Sequence, residues 1–176
     1  METATALMIS QLADYLRGLT QRLDPGAGWY GEFLRRDPDG VRACLDAAAM
    51  PPWDVVESLL RDLETAVGAE AAARETVYAA RLRAAAAAAW DRLPGGAEEL
   101  RSLLAASAAQ RAETAAALRA LTARLGGATD PEAAAALAGE LAWAQDDAVR
   151  AAARHEDLTA RLASLHATET AARTAS

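Results

Sequence analysis

Leucines and other apolar residues recur at spacings of three and four along most of this chain, and nowhere does a stretch alternate with period two. That is the pattern of helices with one apolar face, and it predicts an all-α protein. The prolines fall between the periodic stretches, where a missing N–H does no harm, and they divide the chain into helical segments. Helix 1 is predicted from about Thr3 to Leu23, with Ile9, Leu12, Leu16, Leu19 and Leu23 on one face and Met8 and Tyr15 widening it. Asp24-Pro25-Gly26-Ala27-Gly28 ends it with turn chemistry. A short helix 2, about Trp29 to Arg36, is followed by Asp37-Pro38-Asp39-Gly40. The chain then restarts as helix 3, where Val41, Cys44, Leu45 and Ala48 share a face. After Met50-Pro51-Pro52, helix 4 begins near Trp53 and presents Val56, Leu59, Leu60, Leu63 and Val67. Short helices with short connections predict a compact four-helix head over residues 1–67.

Beyond Gly68 the pattern becomes longer and richer in alanine. Helix 5, Ala69 to Leu93, is expected to turn Tyr78, Leu82, Ala85, Ala86, Ala89 and Trp90 toward a neighbour. Helices 4 and 5 either break at Gly68 or run as one rod, since a single glycine costs only about 1 kcal/mol in a helix. Pro94-Gly95-Gly96 is a stop and turn. Helix 6, Ala97 to Leu125, has an alternating four-three register of Leu100, Leu104, Ser107, Arg111, Thr114, Leu118, Leu121 and Leu125. Gly126-Gly127 closes it, and Thr129-Asp130-Pro131-Glu132 opens helix 7 with a capping box and an early proline. Helix 7 repeats the register through Leu137, Leu141, Ala144, Ala148, Ala151, His155, Leu158, Leu162 and Leu165. Two heptad segments joined by a short loop should fold back on each other. Residues 68–176 are therefore predicted to be an alanine-rich antiparallel coiled coil of three long helices. The expected pairing sets Leu121 near Leu137, Leu118 near Leu141 and Leu104 near His155. Arg111 falls opposite Asp147 as a buried polar pair that fixes the register. Helix 7 outruns helix 6, so its end from about Ala163 is expected to fray or to meet another subunit.

Composition sharpens this picture in two ways. The hydrophobic fraction is 52%, about half of it alanine, and aromatics are only 5%. Alanine is the strongest helix former but buries little area, so slender close-packed helices are expected. The net charge is −7 and every basic residue is arginine. Without a polybasic block, the chain lacks the electrostatic footprint for DNA or anionic lipid. The longest apolar run, Ala84 to Trp90, is too short to span a bilayer. Met-Glu-Thr-Ala-Thr carries no signal-peptide pattern, and one cysteine, Cys44, gives no disulfide framework. These features predict a cytoplasmic protein.

Candidate chemistry is sparse. His155 falls at a heptad core position and His166 lies eleven residues on, with no HxxxH or Cys-His cluster to converge on zinc. Cys44, on the apolar face of a short helix with no histidine nearby in sequence, reads as a small hydrophobe. Asp37-Pro38-Asp39-Gly40 has the glycine two places too early for a calcium loop and reads as a turn with an N-cap. Asp146-Asp147 and Glu98-Glu99 are adjacent carboxylates, about 100° apart on a helix, and make poor acid/base pairs. No phosphate loop or nucleophile elbow occurs. The expectation is a non-enzymatic protein with no cofactor and no metal. Trp29 and Trp53 are read as anchors of the head. Trp90 and Trp143, with Leu158, Leu162 and Leu165, are the candidate protein interface.

The segment Met50-Pro-Pro-Trp-Asp-Val-Val-Glu-Ser-Leu-Leu-Arg-Asp-Leu63 resembles the stretch just after the helix-turn-helix in actinobacterial regulators of the Xre (lambda repressor-like) class. The order of a long helix, two short helices and a Pro-Trp helix is similar too. The resemblance implies that helix 3 would enter the major groove, presenting Asp39, Arg42, Ala43 and Asp46, with Arg42 as the DNA contact. The head carries six arginines against eleven acids, and the turn between helices 2 and 3 lacks the usual glycine. This balance suits protein binding better than phosphate binding. The leading expectation is an adaptor or assembly protein that self-associates through its coiled coil and binds a protein partner. The alternative is a DNA-binding regulator whose arm makes the dimer.

Overall fold

The computed structural model describes residues 2–176; Met1, where the stretch read for targeting begins, lies outside the described residues. The described chain is all-α, with helices α1 (Glu2–Gln21), α2 (Gly28–Arg36), α3 (Pro38–Leu45), α4 (Trp53–Val67), α5 (Ala69–Asp91), α6 (Gly96–Gly126) and α7 (Pro131–Thr174). No strand occurs among the described residues, and no helix is long and apolar enough to cross a membrane. The chain divides into two compact units, one of Met1–Ala97 with Ser164–Ser176 and one of Glu98–Ala163.

The first unit is organised by leucines of α1 and α4. Leu12, Leu16 and Leu19 meet Val56, Leu59, Leu60 and Leu63 in one buried cluster, which Ala79 and Ala86 of α5 complete. The sequence boundary at residues 67 and 68 thus lies inside this unit, because α5 packs against both α1 and α4. Gly68 makes that possible. Its φ of +89° interrupts the helix, so α4 and α5 turn back on each other rather than forming a rod. A side chain at this φ would be strained, which is why glycine stands there.

The buried face of α5 agrees with the expected one at Ala86 and Ala89, with Leu82 and Trp90 half-buried, and departs from it elsewhere. Ala72, Ala79, Arg83, Ala86, Ala87 and Ala89 are buried, whereas Tyr78 and Ala85 are exposed. Alanine is spread around this helix, so apolarity alone did not choose the face. Arg83 helps to choose it: 4% exposed, it donates Nε–H to the Pro51 carbonyl at 3.0 Å. The Met50-Pro51-Pro52 break leaves that carbonyl available for a side chain.

Two aspartates set the short helices. α2 lacks a side-chain cap of its own at Ala27. Instead, Asp62 of α4 accepts from the backbone N–H of Trp29 at 3.0 Å and of Tyr30 at 2.9 Å. This satisfies two N–H groups that a helix start leaves open, and a carboxylate there also complements the helix dipole. Gly28, at φ +60°, is required here, since a Cβ would lie 2.6 Å from the Asp62 carboxylate. Asp37 caps α3 by accepting from Gly40 N–H at 2.9 Å, with Pro38 opening the helix. That is the turn with N-cap read from Asp37-Pro38-Asp39-Gly40.

The second unit contains most of α6 and α7. Asp130, rather than Thr129, caps α7, accepting from Ala133 N–H at 3.2 Å. Pro131 begins the helix, so the residue just before it occupies the capping place. The four-three register reappears as a burial pattern. Ser107, Ala151 and Leu158 are buried, while Leu104, Thr114, Leu118, Leu121, Leu125, Leu137, Leu141, Ala144, Ala148, His155 and Leu162 are half-buried. Arg111 is the departure.

Candidate interaction surfaces

The register pair expected between Arg111 and Asp147 does not form as a buried pair, because Arg111 is exposed. Asp147 instead meets Arg150 three residues on, at 2.5 Å. A partner one turn away on the same helix costs less chain ordering than one on another helix, and here it keeps the pair partly buried. His155 holds its place in the register, with Nδ1 buried and without a hydrogen-bond partner among the described residues. Among the described residues there is no group of three or more His, Cys, Asp or Glu placed to hold a metal ion.

The five candidate interface residues separate into three kinds. Leu158 and Leu165 are buried, at 5% and 6% exposure. Trp90 and Leu162 are half-buried, and Trp143 is 50% exposed. The end of α7 was expected to fray or to meet another subunit. It remains helical to Thr174 and belongs to the first unit, with Leu165 covered by this chain itself. Leu158 and Leu165 are therefore core residues. Seven residues apart, they keep one face of α7 apolar, and a register read from sequence cannot say which neighbour covers that face. Trp143 remains the large apolar side chain of the five presented to solvent, with Val149 on the same helix at 63% exposure and Leu103 of α6 at 41%.

In the first unit, α1 is tied to α5 by a polar clasp that the sequence did not announce. The Glu75 carboxylate accepts from Tyr15 Oη at 2.9 Å and from both terminal nitrogens of Arg22, at 2.9 and 2.7 Å. The Arg22 guanidinium holds the Glu75 carboxyl below the usual carboxylate range. Burial, with the adjacent Glu75, pushes the Tyr15 phenol well above the usual tyrosine range. Tyr78 stacks edge-on against Tyr15 with ring centroids 5.4 Å apart. Near one end of the clasp, Arg22, Leu23, Asp24, Gly28 and Asp62 line an open cleft of about 330 Å³. Its two carboxylates already accept backbone N–H groups, at Gly26 for Asp24 and at Trp29 and Tyr30 for Asp62.

On α3, Arg42 is exposed between the exposed carboxylates of Asp39 and Asp46. Other exposed arginines of the head are engaged with acids. Arg35 and Arg36 both pair with Glu32, at 2.6 and 2.8 Å, and Arg17 pairs with Asp14. α2 and α3 are separated by Asp37 alone, a shorter connection than the three or four residues of a helix-turn-helix. Comparison with family models, with curated proteins and with solved structures finds no match to this chain.

Proposed function

We propose that this chain is a non-enzymatic adaptor or assembly protein whose α6 and α7 form an antiparallel coiled coil that binds further helices, a second copy of the chain foremost. The observation that supports this reading is the half-burial of the leucine register. Leu104, Leu118, Leu121 and Leu125 of α6, and Leu137 and Leu141 of α7, all keep part of their surface in solvent. Burying apolar area stabilises by roughly 25 cal/mol per Å², so covering such a seam with another helix favours association. Trp143, 50% exposed, belongs to the residue type most enriched in interface hot spots.

The test is size-exclusion chromatography with light scattering on the full chain and on a variant carrying Leu118→Asp and Leu141→Asp. The wild-type chain is expected to run as a dimer or higher species and the variant as a monomer. A monomeric wild-type chain throughout the micromolar range would remove self-association from the proposal. The DNA-binding alternative rests on Arg42. Reproducible enrichment of a few loci in a pull-down over sheared host DNA would replace the adaptor reading.

A further inference from the structure

On either side of the loop between α6 and α7, charge is separated by helix. Over residues 111–126, α6 carries Arg111, Arg119 and Arg124 against Glu113 alone. Over residues 131–147, α7 carries Glu132, Glu140, Asp146 and Asp147 and no basic residue. Arg111, Arg119, Arg124, Glu132, Glu140 and Asp146 are all exposed and form no ion pair among the described residues. Helix dipoles account for Arg124 in the last turn of α6 and for Glu132 in the first turn of α7. They do not account for Arg111, Arg119, Glu140 or Asp146, which lie well inside their helices. The leucines of the same stretch, Leu118, Leu121, Leu125, Leu137 and Leu141, are the half-buried ones.

A basic helix beside an acidic one is self-complementary. A foreign helix of either sign would match one of the two and repel the other. A second copy turned about a two-fold axis sets α6 on α7 and α7 on α6, and matches both. The charges also fix which way that copy lies. With the two loops at opposite ends, the arginines of α6 would face residues 148–163 of the other copy, where Arg150, Arg154 and Arg161 outnumber Glu156 and Asp157. The acids of α7 would face the start of α6, where Glu98 and Glu99 outnumber Arg101. Both contacts are repulsive, and with the loops at the same end both become attractive. We infer that two copies join along the loop-side halves of α6 and α7, α6 of each against α7 of the other, with both loops at one end. This arrangement rests on the coiled-coil reading and adds to it the direction of the second copy and the charges that set it.

The test places one spin label per chain in the loop, at Thr129→Cys in a full-length chain also carrying Cys44→Ala, and reads the distance between labels by pulsed electron paramagnetic resonance. Thr129 is exposed, and Asp130 rather than Thr129 caps α7, so the label leaves both helices intact. Loops at one end place the labels within about 30 Å, the width of four packed helices with the label arms. Loops at opposite ends place them about 40 Å or more apart, the length of α6 at about 1.5 Å per residue. That result would overturn the arrangement and leave self-association in place. Uncoupled labels on a chain that light scattering finds monomeric would end the self-association reading and this arrangement with it. Charge is read separately, from the dissociation constant of the dimer at low salt. Arg111→Glu with Arg119→Glu should weaken the dimer about tenfold, and adding Glu140→Arg with Asp146→Arg should restore it. A dissociation constant that neither change moves would overturn charge as the feature that orients the copies.

Discussion

Two stretches of this protein are made from the same helical pattern and bury their leucines very differently. One is the α1 and α4 cluster of the first unit; the other is the middle of the α6 and α7 register in the second, whose outer leucines Leu100 and Leu158 are buried. In the first, Leu12, Leu16, Leu19, Leu60 and Leu63 are at most 3% exposed. In the second, the leucines of α6 from Leu104 to Leu125 and those of α7 from Leu137 to Leu141 are half-buried at best. The cause lies in the number of helices available. α1, α4 and α5 all pack on one another, and α2 and α3 add to them, so each leucine of the cluster is surrounded. A segment with two helical stretches has fewer directions from which to cover a side chain. The lesson is that a four-three register predicts which residues face inward but not how completely they are covered.

That contrast is most directly sharpened by paired truncations. Leu63→Ala should cost about 2–5 kcal/mol, the range for a fully buried leucine that leaves a cavity. Leu121→Ala should cost about 1 kcal/mol, because much of that side chain is already hydrated. Urea unfolding followed by circular dichroism checks both, and equal losses would dissolve the distinction between the units. A second pair uses arginine. Arg83→Ala removes a buried donor from the Pro51 carbonyl and should cost about 2–3 kcal/mol, whereas Arg111→Ala, at an exposed position, should stay within about 0.5 kcal/mol. Asp62→Ala strips the cap from α2 and should cost about 1–2 kcal/mol, with hydrogen exchange accelerating first in Gly28–Arg36.

The smallest effects are electrostatic. Glu75 has its folded pKa lowered, chiefly by the Arg22 hydrogen bond. Its contribution is present above the unfolded carboxylate value and is lost as pH falls through the folded one. The pair is partly solvent-exposed, so the loss should stay under about 1 kcal/mol. Tyr15 has its folded pKa raised, chiefly by burial. Its contribution is present below the unfolded tyrosine value, near about 10, and declines as pH rises beyond it. Glu75→Gln should flatten the acid limb of a pH titration of the unfolding midpoint, while Tyr15→Phe should flatten the alkaline limb. Unchanged limbs would mean that the clasp between α1 and α5 adds nothing to stability.

Much of the fold was legible because local signals were strong. Proline and glycine punctuation placed α2 within a residue, while α3 begins at Pro38 and ends at Leu45, short of the expected face through Ala48. The leucines of α1 and α4 marked the core. What was not legible depended on residues far apart in sequence. Nothing around Asp62 signals that it caps a helix more than thirty residues earlier. Gly68 left break and rod equally open until α5 was found packed against α1 and α4. α5 itself is so rich in alanine that its buried face was only partly legible: Ala86 and Ala89 are buried and Leu82 and Trp90 half-buried as expected, Tyr78 and Ala85 are not, and nothing local marks Arg83 as buried. The exposure of the candidate interface residues was not legible either. Trp143 is exposed as an interface residue requires, while Leu158 and Leu165 shared its helix and its apolar character but were already covered.

The central claim, that the half-buried register of α6 and α7 is completed by another helix, can be tested by hydrogen exchange measured across a dilution series of the full chain. Protection in α6 and in α7 up to Ala163 should rise with concentration, while protection in α1, α4 and α5 stays constant. Protection that is independent of concentration in every helix would contradict the account and leave the second unit as a self-sufficient arm.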